Sequence, residues 1–486
     1  MQYIRELFDY IGDFTWGWSL IPFLVVLGVF FTLSSQFVQL RFFGRMFGVL
    51  TKTEPKDGHI SSREALLVSV GGRVGGGNIA GVAVAITLGG PGAVFWMWAI
   101  ALVGMATSLF ECSLAQLFKR TEADGSYRGG PAQYIIYGLG QNFRWLAVLY
   151  AICLIAAFAF GFNAFQGNTV AGALQESFGL SRLYAGIGFA ILTALVVFGG
   201  IRRIAKVADV VVPVMAFGYI GLALVVILIN LPSVPGVIGS ILSNAFGFTS
   251  AVAGGVGAAV AQGLRRGLFS NEAGLGSAPN VAAIADVKHP VSQGVVQSLS
   301  VFIDTMVICS CTAFMILLSD VYQPGADIDG VVLTQQALSS HFGDWASYFL
   351  SLAVLLFAFS SIIYNYYLGE TALAVFTEGR TAQLVLRLMV IALVFIGASA
   401  EGATSVFFFS DPLMGVLALV NLMALLMLFP IGLRMVRDYT AQVRAGIDNP
   451  VLNPADYPEL SLDETAWPAV GDAAPPPPGT ATAASA

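Results

Sequence analysis

The chain has 486 residues, of which 57% are hydrophobic and 11% are charged, with a formal net charge of −6. The charged fraction is less than half of the roughly 25% that soluble domains carry. Apolar runs of about 18 residues or more, the length that a membrane-spanning helix needs, recur along the chain. These values exclude an ordinary soluble protein and predict a single polytopic, all-α membrane domain.

A hydropathy window of about 19 residues predicts eleven transmembrane helices. The first begins near Trp16 and lacks both a basic leading segment and a small-residue cleavage site, so we interpret it as a retained span and not as a signal peptide. The chain beyond 438 holds four consecutive prolines at 475–478 and is predicted to be a flexible tail. The predicted spans are 16–40, 61–88, 92–118, 143–174, 183–199, 207–231, 250–284, 291–318, 345–373, 382–400 and 408–436.

Lysine and arginine are concentrated in alternate loops. Arg41, Lys119 and Arg434 belong to such loops, whereas the longest of the intervening loops carries Asp320 and Asp344. By the positive-inside rule, this pattern predicts an N-terminus outside the cell and a C-terminus in the cytoplasm.

Two of the predicted spans contain helix-breaking sequence, at 74–78 and at 267–274. Each backbone group left unpaired in hydrocarbon costs on the order of several kcal/mol, so such sequence persists only where it lines a cavity or meets a ligand. When the first span is set aside, ten remain, and each set of five opens with a broken span. Each set also has a longer loop with room for a short helix, at 131–139 and at 331–341.

Because five is an odd number, the two sets would enter the membrane from opposite sides, as inverted repeats do in secondary transporters. The sequence thus predicts a solute-binding site where the two broken helices meet. The predicted organisation is an N-terminal helix with a cytoplasmic loop, a first five-helix repeat, a second inverted repeat and a cytoplasmic tail, at 1–60, 61–231, 250–437 and 438–486.

The first break, with the sequence Val-Gly-Gly-Gly-Asn at 74–78, would free several backbone N–H groups just before a new half-helix begins. The positive end of that half-helix favours a carboxylate. A GxGxxA pattern at 75–80 could also indicate a nucleotide loop, but that interpretation needs a preceding strand in a βαβ unit. Close helix packing through small residues is the other alternative, and it suits Gly81 better than three consecutive glycines.

Several charged residues fall within the predicted spans. Such residues are costly in a bilayer and by default mark a functional site. Ion pairs that lock helices together are the simpler interpretation for Arg265, Arg266 and Asp304, whereas Glu272 could cap freed N–H groups or titrate in a proton-coupled cycle. The charged residues in question are Arg73, Glu111, Arg265, Arg266, Glu272 and Asp304.

Uncharged polar residues offer a second set of candidates. The amides of Gln166 and Asn168 could bind both ends of a zwitterion without a permanent buried charge, or they could form interhelical hydrogen bonds. Ser360 and Ser361 could offer hydroxyl oxygens to a hard cation, although hydrogen bonding to the preceding turn is the better interpretation from these residues alone.

Three motifs are long enough to be specific: GNIAGVA at 77–83, LGGPGAVFWMW at 88–98 and GLFSNEAGLGSAP at 267–279. They resemble those of the alanine or glycine:cation symporters, members of the amino acid–polyamine–cation superfamily with the leucine-transporter fold. The similarity extends from the first span to about the eleventh. In one departure, the family usually has Gly-Thr-Gly-Asn where this chain has Gly76 in place of the threonine, which could make the site roomier or less rigid.

The resemblance implies a secondary active transporter, not an enzyme, that works by alternating access. It would bring a small neutral amino acid, alanine or glycine by preference, into the cell with Na⁺ across a bacterial plasma membrane. Its expected partners are the amino acid and membrane lipid, without nucleic acid, in a monomer or weak oligomer. Backbone amides near Gly76 and Gly77 would hold the substrate carboxylate. The other implied substrate contacts are Asn78, Gln166 and an unwound stretch of Phe269 and Ser270.

The resemblance also implies a sodium site, formed by the carbonyls of Gly71, Val74 and Phe357 and the hydroxyls of Ser360 and Ser361. Proton coupling through Glu272 or another buried carboxylate is an alternative, as is a preference for serine or glutamine. An ion channel or an intramembrane hydrolase would be a different class. A channel would lack coupled, saturable uptake. A hydrolase needs a nucleophile with its base, and the three histidines fall at span ends or in loops.

Overall fold

The structure, a computed structural model, describes residues 2–52, 59–198, 201–247, 255–323 and 330–468. The described chain is built almost entirely of helices, which confirms the predicted all-α class. One short antiparallel ladder pairs Arg120–Thr121 with Tyr127–Arg128. The prolines at 475–478 lie outside the described residues.

The α-helices are numbered in chain order. The first thirteen are α1 Gln2–Gly12, α2 Leu20–Ser34, α3 Val38–Arg41, α4 Phe43–Lys52, α5 Ser62–Arg73, α6 Val82–Gly89, α7 Gly92–Leu117, α8 Pro131–Gln133, α9 Arg144–Leu154, α10 Asn163–Phe178, α11 Arg182–Val197, α12 Ile201–Ile229 and α13 Val234–Ala245. The remaining eight are α14 Gly255–Asn271, α15 Ser277–Ala282, α16 Pro290–Val301, α17 Ser310–Leu317, α18 Gly330–Phe342, α19 Trp345–Leu373, α20 Arg380–Ser399 and α21 Ala403–Arg444.

Shorter helical segments continue or join these helices. The π-helical segments are Asp13–Ser19, Gly77–Gly81, Tyr134–Leu139, Ile155–Phe162 and Phe302–Cys309. The 3-10 segments are Gln141–Phe143, Leu231–Ser233 and Pro454–Asp456. The short loop helices predicted at 131–139 and 331–341 are confirmed, as α8 with its π-helical continuation and as α18.

Within the described ranges, seven helices are long and apolar enough to cross a membrane. Two bent helix pairs raise the number to nine if each pair forms one span: Ser62–Arg73 with Gly77–Gly89, bent by 51°, and Ala216–Ile229 with Leu231–Ala245, bent by 79°. The protein is therefore an integral membrane protein with many spans. The count of eleven stays a prediction.

The second break lies further along the chain than the sequence predicts. Helix α14 continues through Asn271, so the prediction that Phe269 and Ser270 are unwound is wrong. The chain leaves the helix at Glu272, where φ is +56°, and Gly274 and Gly276 then have φ of +86° and +81°. These left-handed conformations interrupt the helix, and glycine adopts them without the strain that a side chain brings.

The segment predicted to be a tail is folded over its first part. Helix α21 extends to Arg444, and residues 445–467, which we call the C-terminal strap, pack back onto the ends of other helices. Leu452 N–H donates to the carbonyl of Lys288 at 2.9 Å. The buried indole of Trp467 donates to the carbonyl of Leu117 at 3.1 Å. The prediction of a flexible tail is therefore wrong for residues 438–467, because apolar and hydrogen-bonding groups continue to Trp467.

Candidate functional site

The first break frees backbone N–H groups, as the sequence predicts. Helix α5 ends at Arg73 because Val74 adopts an extended backbone, with ψ of 99°. The N–H of Gly75 then donates to Oδ1 of Asn78 at 2.9 Å, and the N–H of Gly76 donates to Oε1 of Gln166 at 3.0 Å. In an uninterrupted helix, both N–H groups would bond carbonyls four residues back. Side-chain oxygens hold them here instead.

Three helices approach the consecutive glycines so closely that a side chain would collide with two of them and press tightly on the third. A Cβ on Gly75 would overlap Oγ of Ser361 in α19, and one on Gly76 would lie 2.8 Å from Oγ1 of Thr169 in α10. A Cβ on Gly77 would lie 3.2 Å from the ring of Phe269 in α14. The glycines therefore allow the backbone of the break to touch three helices at once.

Asn78 joins the two broken helices. Its Nδ2 donates to Oγ of Ser270 at 2.9 Å and to Oδ1 of Asp304 at 2.6 Å. Its backbone carbonyl accepts from Oγ1 of Thr312 at 2.7 Å. Ser270 in turn donates to Oδ2 of Asp304 at 2.8 Å. The side chain of Asn78 thus ties the first break to the last turn of α14 and to the π-helical segment Phe302–Cys309.

The residues proposed for a cation lie on the side of the break that faces α19. Oγ of Ser360 donates to the carbonyl of Gly71 at 2.7 Å and to that of Phe357 at 2.9 Å. The carbonyl of Gly71 is available because the N–H of Gly75, its helical partner, turns to Asn78. Oγ of Ser361 is buried and has no hydrogen-bond partner among the residues that the structure describes.

These oxygens match the chemistry of a hard cation, which takes carbonyl and hydroxyl ligands at a broken helix. A buried hydroxyl without a partner is uncommon and calls for an explanation such as an ion. The carbonyl of Gly71, the carbonyl of Phe357 and the two serine hydroxyls therefore form a chemically suitable group. Val74, whose carbonyl is the remaining ligand that the resemblance implies, is fully buried where α5 ends.

An aromatic layer covers the break. The ring of Phe269 stacks on that of Phe162, with centroids 4.2 Å apart, and meets the edge of Phe407 at 5.0 Å. The guanidinium of Arg266 lies 3.7 Å from the centroid of the Phe407 ring and forms a buried ion pair with Asp411. This pair joins α14 to α21, in agreement with the helix-locking interpretation of Arg266.

A cavity of about 270 Å³ lies next to this layer and has Arg266, Phe407 and Asp411 in its lining. The indole of Trp16 also lines it and donates to the backbone carbonyl of Asp411 at 2.8 Å. The residues of the break are themselves buried. The ion pair and the phenyl rings thus lie between the break and this cavity.

Among the residues that the structure describes, Glu272 caps no freed N–H group, contrary to one of its two expected roles. Its Oε2 accepts from the hydroxyls of Ser277 at 2.5 Å and Tyr364 at 3.0 Å. A different carboxylate, that of Glu111, accepts the N–H of Gly274 at 3.1 Å. Glu272 therefore connects the second break to α19, while Glu111 binds the backbone of the second break at Gly274.

Gln166 and Asn168 have different surroundings. Gln166 lies at the break, whereas Nδ2 of Asn168 donates to the carbonyls of Gly397 at 3.2 Å and Ala400 at 2.7 Å. For Asn168 the interhelical hydrogen bond is therefore the correct interpretation.

The sequence did not point to Thr169, Phe162, Phe407 or Asp411. Asp411 had a usable signal, because it is a carboxylate inside a predicted span and such residues have a functional or pairing role by default. The two phenylalanines had none, since aromatic residues are common throughout the spans. Thr169 becomes visible only when the space beside Gly76 is known.

The chain matches a known family over most of its length. Residues 1–454 match the sodium:alanine symporter family. The amino-acid carrier protein AlsT of Bacillus subtilis is 44% identical over 464 residues, which cover 96% of this chain and 98% of the relative. The probable sodium/glutamine symporter GlnT of the same bacterium is 44% identical over 450 residues, or 92% and 93% of the two chains. A sodium/proton-dependent alanine carrier protein of Bacillus sp. PS3 is 35% identical over 430 residues, or 85% and 95%.

Solved structures show the same fold at low sequence identity. MhsT in complex with L-phenylalanine has a TM-score of 0.54 at 14% identity, covering 79% of this chain and 99% of that chain. A manganese transporter of Eremococcus coleocola has a TM-score of 0.50 at 15% identity, covering 79% and 81%. These likenesses establish the leucine-transporter fold, and the family match confirms the resemblance of the sequence motifs. The chain belongs to the sodium:alanine symporter family, whose members are transporters and not enzymes.

Proposed function

We propose that this protein is a secondary active transporter that carries a small neutral amino acid, alanine or glycine by preference, into the cell together with Na⁺. The family is named for sodium and alanine, and two of the relatives are named as carriers of amino acids or of alanine. The observation that carries the proposal is the first break. At this break, freed backbone N–H groups donate to side-chain oxygens that a substrate carboxylate can displace. A group of oxygens suited to a cation lies beside them.

Gln166 supports a carboxylate site at Gly76 and Gly77. Its Oε1 lies on the N–H of Gly76, in the place that we assign to an oxygen of the substrate carboxylate. A carboxylate makes stronger hydrogen bonds than a neutral amide does, and it gains further from the positive end of the half-helix that begins at Gly77. We therefore propose that the substrate carboxylate displaces Gln166 Oε1, and that the displaced amide then contacts the amino acid.

Asn78, Phe269 and Ser270 complete the proposed substrate site. Asn78 and Ser270 are hydrogen-bonded to each other, and the Phe269 ring lies against Gly77. The space beside Gly76 is filled by Thr169 and Phe165, which favours a small side chain on the substrate. The missing threonine of the family pattern is thus compensated by neighbours in α10, and the site is not roomier at this position.

Na⁺ would bind among the carbonyls of Gly71, Val74 and Phe357 and the hydroxyls of Ser360 and Ser361. Bound there, the ion would hold α5 against α19 and fix the shape of the break that receives the substrate. A ligand shifts a conformational equilibrium only through its differential affinity for the two states. In this proposal, both ligands favour the same arrangement of the break, which couples their movement. The driving force is the ion gradient plus about 2.3 kcal/mol per charge for each 100 mV.

We also propose how the spans are arranged and oriented in the membrane. An N-terminal helix and loop at 1–60 precede two inverted repeats at 61–231 and 250–437, which together give eleven spans. The N-terminus lies outside and the C-terminus in the cytoplasm of a bacterial plasma membrane, as the loop charges favour. Alternating access then requires the Arg266–Asp411 pair to separate when the outer path opens. The protein acts as a monomer or weak oligomer.

A glutamine or serine symporter is the second candidate function. The relative named as a probable sodium/glutamine symporter is as similar to this chain, at 44% identity, as the amino-acid carrier AlsT is. Proton coupling is a second candidate for the ion, because one relative is named as sodium/proton-dependent and Glu272 is a buried carboxylate. The filled space beside Gly76 favours alanine or glycine over glutamine.

Uptake of radiolabelled amino acids into proteoliposomes tests the proposal. We expect an inward Na⁺ gradient to drive alanine accumulation, and a matched K⁺ gradient to drive none. Unlabelled glycine should compete strongly and glutamine weakly. Accumulation driven by a pH gradient without Na⁺, or stronger competition by glutamine than by alanine, would replace the proposal with one of its alternatives.

A further inference from the structure

A cavity of about 270 Å³ lies between the end of α2 and the last turns of α21. Three arginines line it, Arg41 of α3 and Arg437 and Arg444 of α21. Arg437 and Arg444 are two helical turns apart, so their side chains lie on one face of α21. The side chains of Ser34 and Thr440 also line the cavity and carry hydroxyl groups. Guanidinium and hydroxyl groups together are the donors that a phosphate group accepts hydrogen bonds from.

The positive charges of this cavity lack a countercharge. None of its three arginines forms an ion pair with a carboxylate in the part of the chain that the structure describes. Arg434, one turn earlier in α21 and outside the cavity, is in contrast paired with Glu459 at 2.6 Å. Partial burial lowers the pKa of Arg41, and repulsion from Arg444 lowers it further. A bound anion would relieve this repulsion, which the described carboxylates leave in place.

A strained turn holds Arg41 in place beside the cavity. Gln36 and Phe37 both have φ of +56°, a left-handed value that residues with a side chain rarely adopt. Oε1 of Gln36 accepts from Nη1 of Arg41 at 2.9 Å, and Oγ1 of Thr440 accepts from Nη2 at 3.4 Å. The guanidinium is thus fixed between the turn and α21. Backbone strain of this kind persists where the surroundings enforce it, and it is concentrated at ligand sites.

The surface next to the cavity is apolar and exposed. On α21, Leu426, Pro430 and Leu433 share the helical face of Arg437, because they follow one another at intervals of four and three residues. Leu426 and Pro430 are exposed, and so is Leu33 at the end of α2. Both helices belong to segments that are long and apolar enough to cross a membrane, Phe8–Ser34 and Ala403–Arg444. The cavity therefore lies at the level of the lipid headgroups, with exposed apolar side chains on its hydrocarbon side.

We propose that this cavity binds the phosphate group of an anionic phospholipid, which holds α3 against the end of α21. Basic pockets between the ends of transmembrane helices are suited to such headgroups. Free phosphate has the same charged group but no acyl chains, so the apolar surface beside the cavity favours the lipid. The volume is slightly below the roughly 300 Å³ at which pockets for whole small molecules begin, which suits a headgroup. This site is separate from the proposed substrate and Na⁺ sites.

The test uses the purified full-length protein in detergent and the double variant Arg437→Gln/Arg444→Gln, which removes two of the three charges. Both side chains are exposed, so the fold should tolerate the change. The matched control is Arg144→Gln/Arg380→Gln, which removes two exposed arginines that begin α9 and α20 and lie outside the cavity. Native mass spectrometry measures the binding of phosphatidylglycerol and of phosphatidylcholine. Thermal unfolding measures the stabilisation by each lipid and, in a separate arm, by inorganic phosphate alone.

We expect the wild type to bind phosphatidylglycerol more tightly than phosphatidylcholine, whose headgroup also carries a positive charge, and to be stabilised more by it. Each arginine near an anionic headgroup contributes roughly a fivefold factor in affinity, so the double variant should bind phosphatidylglycerol roughly 25-fold more weakly. Replacing the same two arginines by lysine keeps the charges without the planar fork and should cost less. The control should bind and unfold as the wild type does, and inorganic phosphate should stabilise the wild type less than phosphatidylglycerol does.

Three outcomes would overturn the inference. Unchanged phosphatidylglycerol affinity in Arg437→Gln/Arg444→Gln would place the lipid elsewhere. An equal loss in the control would show that the overall charge of this surface, and not the cavity, attracts the lipid. Inorganic phosphate that stabilises the wild type as much as phosphatidylglycerol does would show that the cavity binds a free anion. If the double variant fails to fold, Arg437→Gln and Arg444→Gln are measured singly, and each should lose roughly fivefold in affinity. Wild-type affinity in both single variants would contradict the proposal equally.

Discussion

Gly76 and Gln166 are joined by a hydrogen bond of 3.0 Å, in which the backbone N–H of the glycine donates to the side-chain Oε1 of the glutamine. This bond connects α10 to the broken helix and satisfies an N–H that the break would otherwise leave unpaired. The amide oxygen of Gln166 therefore occupies the proposed carboxylate site, and the substrate carboxylate must displace this oxygen in order to bind.

Changing Gln166 tests this exchange. Gln166→Glu places a permanent carboxylate beside the N–H of Gly76, and a charged acceptor binds an N–H more strongly than an amide does. We expect Gln166→Glu to weaken alanine binding more than Gln166→Ala does, because only the former competes with the substrate carboxylate. Calorimetry on the purified variants measures the difference. Equal affinities in the two variants would mean that the substrate does not use this N–H.

Removing the serine hydroxyls tests the proposed Na⁺ site. Ser361→Ala should raise the Na⁺ concentration for half-maximal uptake, and the double variant with Ser360→Ala should nearly abolish Na⁺ dependence, since two ligands are lost. Ser351→Ala is the control, because Ser351 is a buried hydroxyl in the same helix that is hydrogen-bonded to the carbonyl of Ala173. A double variant with the Na⁺ dependence of the wild type would place the cation elsewhere.

Gly76 and Thr169 should act as a pair. A side chain at 76 would press on Oγ1 of Thr169, so Gly76→Thr alone should reduce alanine affinity, by about 1–3 kcal/mol for an overpacked site. Adding Thr169→Ala should restore much of that loss, because it removes the obstructing hydroxyl. Competition assays with glycine, alanine, serine and glutamine on the single and double variants measure both affinity and selectivity. If the double variant is no better than Gly76→Thr, neighbours other than Thr169 limit the space.

The C-terminal strap should stabilise the fold. Truncation after Arg444 removes the buried indole of Trp467 and its hydrogen bond to Leu117. We expect this truncation to lower the melting temperature in detergent, and truncation after Pro468 to leave it unchanged. Equal melting temperatures for the two truncations would show that the strap contributes nothing to stability.

The strap also carries an acid-sensitive contact. Burial raises the pKa of Asp463, but hydrogen bonds from the N–H groups of Thr121, Ala466 and Thr465 outweigh it and lower the pKa below its usual value. Because the folded pKa is the lower one, this contact stabilises the strap above the unfolded pKa and is lost as the pH falls through the lowered value. Asp463 is only partly buried, so the effect is small. The difference in melting temperature between the full chain and the truncation after Arg444 should therefore shrink slightly on acidification.

The sequence predicted the break at Gly75–Gly77 because glycine clusters inside an apolar span have few explanations other than an interrupted helix. It placed the second break too early, since Phe269 and Ser270 have ordinary helical neighbours and only the left-handed φ of Glu272 reveals where the helix ends. Ser361 was a weak candidate until its hydroxyl proved to be buried without a partner among the described residues. Such a property depends on packing between distant helices, which a hydropathy pattern does not contain.

The strap was missed for a related reason. Its composition resembles that of a polar tail, and the few residues that dock it, such as Leu452 and Trp467, are too widely spaced to form a pattern. Their partners, Lys288 and Leu117, are far away in the chain. Local sequence therefore predicted the helices and the first interruption well, and long-range contacts poorly.

The central claim is that Na⁺ and the amino acid bind at the same break and strengthen each other's binding. Equilibrium binding of alanine to the purified protein in Na⁺ and in K⁺, together with Na⁺ binding with and without alanine, measures this coupling most directly. We expect alanine to bind at least about tenfold more tightly in Na⁺, and alanine to raise the affinity for Na⁺ by the same factor, because binding coupling is reciprocal. Equal alanine affinity in the two salts would contradict the account.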